Sequence, residues 1–322
     1  MTWMPCKRTA PCSNDEVFHV ASVAIKLESI PAEKQHPDQV IVSPWQFGSL
    51  EFALAAPGME DEVVSALAVP TLTNVIMQGF IRDNGLVSPQ HRGCYYVCRN
   101  RHNKVEGVAL IGHSILFHAL EEDAIEGFAA IARRGSPHLL MGEHVAVQRF
   151  WNFYAAPRQE PRHVCPVLFL HRDKQFEQHQ EVAGLRLAVP EDLECVVRAQ
   201  AAMAFETSGV DPLKKDPIGF RQRYLRRIDQ NRVWVLINGR RLVFKLDVIA
   251  DTPDAAYIEG VYVSPEERGK GLGRSCVNAV GHKLLEHTNA LYLFVENENR
   301  RTTAFYLRLR FNVAGNYDLL YF

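Results

Sequence analysis

The chain has 322 residues, more than one core of ordinary size needs, so two domains of roughly 150 residues each are expected. Its net charge of −1 argues against a broad basic surface for nucleic acid or an anionic membrane, and its charged fraction of 23% matches an ordinary soluble globular protein. No apolar run approaches the ~20 residues of a membrane-spanning helix, and seven scattered cysteines favour reduced thiols over a disulfide framework. These features predict a cytoplasmic protein without a metal site and without nucleic-acid or membrane partners; the oligomeric state stays open, a homodimer included.

Residues 1–40 combine prolines and charges with one short apolar run, which predicts a loosely attached N-terminal arm. Two later segments repeat one pattern, in which alternating apolar residues are followed by a proline (Pro57 or Pro190) and then by acidic residues. Alternation predicts a half-buried strand, and acidic residues suit the positive end of a helix. We therefore predict a structural duplication, with domains at 41–175 and 183–322.

The linker between the two halves is predicted in the segment that follows Tyr154 and ends at Gly184. This segment is rich in proline and charge and contains one short apolar strand, VLFL. The composition places the boundary near residues 173–182.

The second half predicts a mixed and mostly antiparallel sheet flanked by helices, an α/β (α+β) fold. Its six expected strands are LRLAV, RVWVLING, RLVFKLDVIA, AAYIEGVYV, LYLFVEN and YDLLYF. The NGR turn at 238–240 lies between two apolar runs and predicts a hairpin. The helix after the fourth strand is expected to bury one face, made of Val277, Val280, Leu284 and Leu285.

Three glycines alternate with cations between that fourth strand and that helix, in the stretch PEERGKGLGR. The residues are Gly269, Gly271 and Gly273, with Arg268, Lys270, Arg274 and the intervening Leu272. Glycines leave the backbone N–H groups accessible, and the partial positive charge of a helix N-terminus favours phosphate. The stretch predicts a pyrophosphate site, although a flexible turn with solvated cations explains the same residues. Its spacing matches neither the P-loop nor the dinucleotide fingerprint.

The arrangement of this turn after its strand resembles a known signature. Val261 and Val263 followed by Arg268-x-x-Gly271-x-Gly273 look like the acetyl-CoA-binding motif of the GNAT acetyltransferases. The motif comes after the fourth predicted strand, as it does in that family. The resemblance covers roughly residues 183–322.

A second segment, VENENRRTTAFYLRLRF, looks like the later motif of the same family. Asn299, Tyr306 and Phe311 are in step with that motif. Thr302 stands where alanine is usual, which is a small change. Arg310 stands where glycine is usual, which removes an easy helix terminator and predicts an unusual turn into the last strand.

The resemblance implies a GNAT fold that binds acetyl-CoA as a co-substrate. The implied cofactor-binding residues are Val261, Val263, Arg268, Gly269, Lys270, Gly271, Leu272, Gly273, Arg274 and Asn299. Asn299 is equally well explained as a simple helix N-cap. Tyr306 is implied to protonate the departing thiolate, and the alternative is a core tyrosine with a satisfied hydroxyl.

An acceptor amine must lose a proton before it attacks, and two carboxylates are candidates for that role. Glu259 is predicted to share a strand face with Val261 and Val263 because strands have a period of two. It is expected to act as a base or as an anchor for a cationic substrate, with a salt bridge as the alternative. Glu206, in FETSGVDP at the end of the first helical region, is a predicted substrate-binding residue.

The first half lacks the glycine turn. Its segment KVEGVALIGHSILFHALEEDAIEGF lies where that turn is expected and supplies a strand, VEGVALIG, but Glu121, Glu122 and Asp123 open the next helix and would repel a pyrophosphate. The chain therefore resembles tandem proteins with a degenerate GNAT-like half before a competent one. The predicted function is acetyl transfer to a primary amine of a small molecule, peptide or protein. The alternatives are a non-catalytic acyl-CoA sensor and an acyltransferase with a bulkier donor.

Overall fold

The computed structural model describes residues 44–173 and 181–322, so the predicted arm at 1–40 and most of the predicted boundary at 173–182 lie outside these ranges. Within them, thirteen strands form one continuous sheet. The strands are β1 (Trp45–Phe47), β2 (Leu50–Leu54), β3 (Gly93–Arg99), β4 (Val105–Gly112), β5 (Ser114–Ala119), β6 (Leu139–Glu143), β7 (His163–Asp173), β8 (Leu185–Leu187), β9 (Val233–Asn238), β10 (Arg241–Asp251), β11 (Ala255–Val263), β12 (Ala290–Glu296) and β13 (Asn312–Tyr321).

Nine α-helices occur in the same described ranges. They are α1 (Glu60–Ala66), α2 (Leu72–Asn84), α3 (Glu122–Ala132), α4 (His144–Tyr154), α5 (Leu193–Ser208), α6 (Pro212–Lys215), α7 (Pro217–Asp229), α8 (Leu272–Leu285) and α9 (Arg300–Arg308). None of these described helices is both long and apolar enough to cross a membrane. The six strands predicted for the second half are confirmed, with a shorter first strand, β8, and a longer last strand, β13, which begins at Asn312.

The predicted hairpin is confirmed between β9 and β10. Asn238 pairs with Arg241, and Gly239 between them has a φ of +61°. Glycine adopts this left-handed conformation without the steric cost that a side chain would add.

The strands of the two halves are arranged in nearly the same order outward from the centre of the sheet, which lies between β13 and β7. The order runs β1-β2-β3-β4-β5-β6-β13-β7-β12-β11-β10-β9-β8. Neighbours pair antiparallel except β5 with β6 and β11 with β12, which are parallel. The predicted mixed, mostly antiparallel sheet flanked by helices is therefore confirmed.

The two halves exchange one strand each at the centre of this sheet. Strand β7 belongs to the first half of the chain and lies between β12 and β13 of the second half. Strand β13 in turn pairs with β6 of the first half. The interpretation of this region as a linker is thus wrong for His163–Asp173, which form a central eleven-residue strand. The domain bounds 41–175 and 183–322 stay predictions.

Helices cover both faces of the second half of the sheet. Helix α8 buries its predicted apolar face, since Val277, Val280, Leu284 and Leu285 all lie in one core cluster. Helix α9 adds Tyr306 to that cluster. The opposite face is covered by α5 and α7 and by α2 from the first half.

Helix α2 joins the two halves through close packing. A Cβ on Gly79 would lie only 2.5 Å from the Cβ of Ala250 in β10, so the glycine lets the helix approach the strand. At the end of the same helix, Asp83 binds Arg232 at 2.6 Å, and Arg232 also binds Asp251 at 2.7 Å. The first half is thus part of the surface that covers β10 and β11.

Candidate active site

A gap opens between the two parallel strands β11 and β12. They pair only at their first residues, where Ala255–Tyr257 meet Ala290–Tyr292. Beyond that point β11 continues to Val263 and β12 to Glu296, while each stays paired with its other neighbour, β10 or β7. The facing edges of the two strands therefore diverge, and in the described residues no other strand fills the space between them.

The glycine turn follows the end of β11 directly. Gly269 and Gly271 have φ angles of +75° and +84°, and a Cβ at either position would meet nothing within 4 Å. Gly273 is different, because a Cβ there would lie 2.9 Å from Cγ2 of Val263. Two glycines thus leave an open backbone surface, and the third allows helix α8 to pack against β11.

Helix α8 begins at this open surface without a side-chain cap. Its first hydrogen bond runs from the N–H of Ser275 to the carbonyl of Gly271, at 3.1 Å. The N–H groups of the residues between them therefore precede the intrahelical bonding pattern. Such a helix N-terminus carries about half a positive charge and suits an anion.

The charged residues of the turn are held in a definite arrangement. The Nε of Arg268 donates to the carbonyl of Val263 at 3.0 Å, which folds this side chain back onto the end of β11. Lys270 lies 3.3 Å from Glu267, and Arg274 is exposed. The sequence interpretation took these three cations together, whereas the structure ties Arg268 to the strand and Lys270 to an acid of the turn.

Arg241 is a residue of this site that the sequence interpretation missed. It begins β10 and lies 3.1 Å from Glu266 and 3.5 Å from Glu267. Two acidic residues next to a phosphate site would weaken it, and Arg241 offsets their charge. Its position next to the NGR hairpin turn gave no signal, because only the pairing of β10 with β11 brings it to the glycine turn.

The prediction that Glu259 shares a face with Val261 and Val263 is wrong. Gly260 has a φ of +60° and lies in a β-bulge, so that one extra residue interrupts the alternation. Val261 and Val263 pack in the cluster under α8, whereas Glu259 accepts a hydrogen bond from the hydroxyl of Tyr257 on the other face. The isolated glycine in YIEGVYV was the available signal for this bulge.

Glu259 lies in a buried polar group that the sequence interpretation also missed. Its side chain is 2% exposed, and its cross-strand neighbour on β10 is Asp247. Asp247 forms a buried ion pair with Lys245 at 2.6 Å. Two charged residues inside the long apolar run RLVFKLDVIA were the sequence signal for such a group.

Tyr306 is fully buried in the cluster that also contains Val261 and Val263. Its ring packs edge-on against Phe305 and Phe311, with centroids 5.0 and 5.3 Å away. Its hydroxyl has no hydrogen-bond partner among the described residues, and burial raises the pKa of Tyr306. The alternative of a core tyrosine with a satisfied hydroxyl therefore does not describe this side chain.

Asn299 and Glu206 lie at the ends of two helices. Asn299 caps α9, because its side-chain oxygen accepts from the N–H of Thr302 at 3.0 Å. Glu206 lies near the end of α5, where it interacts electrostatically with Arg268. Burial raises the pKa of Glu206, and the nearby Arg268 opposes that rise. Glu206 therefore lies near Arg268, the residue that precedes Gly269.

Arg310 adopts the backbone conformation that explains the usual glycine at this position. Its φ is +62°, in the left-handed region, immediately after α9. The N–H of Phe311 then donates to the carbonyl of Tyr306 at 3.0 Å, which closes the helix end. The turn into the last strand therefore has the conformation that a glycine would give it, and only the residue at this position is unusual.

The first half has a corresponding pair of parallel strands but no corresponding turn. Strands β5 and β6 pair only through Ser114 and Ile115, and α3 begins almost directly after β5. The predicted strand VEGVALIG is confirmed as β4, but β5 lies between it and this helix. His118 is four residues after Ser114, the first paired residue of β5, and Glu259 is four residues after Ala255, the first paired residue of β11. The two residues therefore hold corresponding positions.

Comparisons with known proteins agree with this geometry. The model of the acetyltransferase (GNAT) family matches residues 214–311, which include β11, the glycine turn and α9. A comparison with curated proteins gives no match.

Several solved structures share the fold over most of the chain. An acetyltransferase of the GNAT family from Colwellia psychrerythraea is 10% identical, with a TM-score of 0.55 over 85% of this chain and 100% of that one. A tandem GNAT protein from the clavulanic acid biosynthesis pathway is 14% identical, with a TM-score of 0.54 over 84% and 97%. A GCN5-related N-acetyltransferase from Sphaerobacter thermophilus is 13% identical, with a TM-score of 0.52 over 85% and 95%.

Proposed function

We propose that the protein transfers the acetyl group of acetyl-CoA to a primary amine. The match of the GNAT acetyltransferase family model to residues 214–311, in the second half of the chain, supports this proposal. One observation carries this proposal. The gap between β11 and β12 ends at a glycine turn that opens a helix without a side-chain cap. A strand edge and a phosphate site are thus adjacent, as an extended ligand with a pyrophosphate requires.

The residues of the turn fit the pyrophosphate of acetyl-CoA. The open surface at Gly269 and Gly271 lets phosphate oxygens approach the backbone N–H groups of the helix start. Arg268, Lys270 and Arg274 add positive charge, and Arg241 offsets the acids of the turn. Leu272 and Gly273 belong to the same helix start.

The diverging edge of β11 fits the pantetheine arm. Val261 and Val263 would pair with the amides of the arm through their backbone groups, as an added strand does. Asn299 starts the helix on the far side of the gap, and we assign it to the same ligand. Acetyl-CoA supplies the activated acetyl group; the chain itself binds and orients it and handles the protons.

The transfer would form one bond and break one. The nitrogen of the amine attacks the thioester carbon, an amide forms, and the C–S bond breaks. Glu259 would accept the proton of the amine, directly or through water, or anchor a cationic acceptor. Tyr306 would donate its proton to the departing thiolate. Glu259 would then release its proton to solvent, and Tyr306 would take one up from solvent.

The two proposed proton carriers lie on opposite faces of the sheet. Glu259 lies on the face covered by α5 and α7, and Tyr306 on the face covered by α8 and α9. We therefore assign the first of these faces to the acceptor, with Glu206 as a substrate-binding residue at its edge. Helix α2 of the first half covers part of the same face, which gives the first half a role in acceptor recognition.

Calorimetric titration of acetyl-CoA tests the binding site. Wild type is compared with Gly271→Glu, which puts a carboxylate and a Cβ into the turn. Gly58→Glu is the matched control, since Gly58 also has a positive φ, of +93°, and nothing within 4 Å of its Cβ position. We expect Gly271→Glu to weaken binding at least tenfold and Gly58→Glu to leave it unchanged.

Thiol release against a panel of primary amines then tests catalysis. Turnover with acetyl-CoA supports the proposal, and faster turnover with longer acyl-CoA donors would replace acetyl by a bulkier group. Binding without turnover on any amine would favour the non-catalytic sensor. Absence of binding by wild type would contradict the proposal altogether. We also propose a cytoplasmic location, which cell fractionation tests.

A further inference from the structure

The β-bulge at Gly260 determines which way each proposed active-site residue faces. Lys245 pairs with Tyr262 and Asp247 pairs with Glu259, so one residue of β10 faces two residues of β11. The extra residue reverses the alternation of side chains along the strand. Glu259 consequently faces α5 and α7, while the next residues, Val261 and Val263, face the cluster under α8.

A buried ion pair holds this bulge in place. Lys245 is 0% exposed, and its Nζ donates to the carbonyl of Gly260 at 3.2 Å. The same Nζ lies 2.6 Å from Oδ2 of Asp247, which is 1% exposed. A Cβ on Gly260 would lie 2.8 Å from each of these two atoms, so both side chains are packed directly around the bulge.

Two residues of helix α7 also lie close to the carboxylate of Asp247. The hydroxyl of Tyr224 lies 3.4 Å from its Oδ2, and a guanidinium nitrogen of Arg227 lies 3.7 Å away. Both residues belong to α7, the helix that covers the proposed acceptor face. The Oδ1 of Asp247 is buried without a hydrogen-bond partner among the described residues. The ion pair thus connects α7 to the bulge in β11.

Such a pair is not needed for stability alone. Buried ion pairs lose about as much through desolvation as they gain, and apolar residues of similar volume often replace them without loss of stability. An apolar pair, however, has no donor for the carbonyl of Gly260. We propose that Lys245 and Asp247 are positioning residues, which hold the bulge and so orient Glu259 and the backbone of Val261 for acyl transfer. The catalytic part of this inference, that the pair orients residues for acyl transfer, rests on the proposed function. The structural part, that the pair holds the bulge, does not.

The test is the double variant Lys245→Met/Asp247→Leu in the full chain, which removes both charges of the pair together. The control is Arg186→Met/Asp192→Leu, which removes another ion pair of the same 2.6 Å length. Two measurements are made on each protein. One is amide hydrogen exchange by mass spectrometry, and the other is steady-state kinetics.

We expect exchange in residues 258–263 to become at least tenfold faster in the double variant, with β12 unchanged. We also expect kcat to fall about 100-fold, while the Kd of acetyl-CoA changes less than fivefold because the glycine turn is intact. Gly260→Ala should reproduce both effects, since its Cβ would collide with the pair. The control should alter neither exchange at 258–263 nor kcat.

Each outcome decides a different point. Unchanged exchange at 258–263 in a folded double variant would overturn the inference, whether or not the wild type is an enzyme. Wild-type kcat in that variant, with an active wild type, would overturn its catalytic part and leave the proposed function standing. Faster exchange in a protein whose wild type has no turnover would support the structural part and count against the proposed function alone.

Discussion

Phe150 occupies in helix α4 the position that Tyr306 occupies in helix α9. Each is the seventh residue of its helix, each is fully buried, and each helix follows the parallel strand at the divergent gap of its own half. The first half therefore has a phenyl ring where the second half has a phenol. The proton donor that we propose for the leaving thiolate is therefore present in the second half, whereas its counterpart in the first half has no hydroxyl.

Replacing Tyr306 by phenylalanine should separate catalysis from stability. We expect Tyr306→Phe to lower kcat about 100-fold, the usual order for loss of a general acid. The free energy of unfolding should stay unchanged or rise, because the buried hydroxyl has no hydrogen-bond partner to lose in the described part of the chain. Thiol-release kinetics and urea unfolding measure the two effects.

Tyr95→Phe is the matched control for that change. Tyr95 is also buried, but its hydroxyl donates to the carbonyl of Met77 at 2.9 Å. Its replacement should lower the free energy of unfolding by about 1 kcal/mol and leave kcat unchanged. Full activity of Tyr306→Phe would show that this hydroxyl is not the acid.

Removing Arg241 should weaken the binding of acetyl-CoA. Arg241→Ala leaves Glu266 and Glu267 without their counter-charge beside the glycine turn. We expect the Kd to rise about three- to fivefold at low salt, since exposed ion pairs contribute up to about 1 kcal/mol. The difference should shrink toward zero near 1 M salt because exposed charges are screened. Calorimetry at two salt concentrations measures the change in Kd. Arg240→Ala, at the exposed neighbouring position, is the control. An equal effect of Arg240→Ala would refute a specific role of Arg241 in offsetting Glu266 and Glu267.

Glu206 should make acceptor binding depend on pH. Burial raises the pKa of Glu206 above its ordinary value of 4.5, with Arg268 opposing the rise. The carboxylate is charged above that pKa, so the KM for a cationic acceptor should increase as the pH falls through it. Glu206→Gln should have a KM about three- to fivefold higher at neutral pH and should lose this dependence. Glu194→Gln, on the same helix, is the control; a pH profile unaltered by Glu206→Gln would exclude the residue from acceptor binding.

Gly79 should be intolerant of a methyl group. A Cβ there would lie 2.5 Å from the Cβ and 2.9 Å from the Cα of Ala250, and the backbone contact cannot move aside. Overpacking costs about 1–3 kcal/mol, which exceeds the gain of up to about 1 kcal/mol from alanine in a helix. Gly79→Ala should therefore lower the free energy of unfolding by about 1–2 kcal/mol in urea titration.

Gly281→Ala is the control for this prediction. Gly281 is also helical and buried, but its Cβ would meet only the end of the Leu291 side chain, at 2.9 Å. A rotamer change can relieve that contact, so the variant should be neutral or slightly more stable. Equal losses in both variants would refute the close-packing explanation.

Local patterns were sufficient for much of the second half. The buried positions of α8 follow from its apolar periodicity, and the hairpin at Gly239 from its turn residues. The glycine turn after β11 lies where the spacing of Gly269, Gly271 and Gly273 predicts it. These features depend on residues that are neighbours in sequence, which is why one chain was enough to predict them.

Features that depend on distant pairing were not predictable in the same way. The face of Glu259 required recognition of a bulge at Gly260, which only the pairing with Lys245 and Asp247 defines. Arg241 reaches Glu266 because two strands happen to be adjacent. The run VLFL predicts the strand around Phe169, but its central place in the sheet depends on its pairing with β12 and β13.

The exchange of β7 and β13 also limits the sequence of events during synthesis. A chain made from its amino end contains β6 long before residues 317–321, which cover the outer edge of β6, have been made. Strand β7 likewise waits for both of its neighbours. The first half therefore cannot finish its sheet as an early cotranslational unit, and it presents unpaired strand edges, a site for misassembly, until the second half has been synthesised.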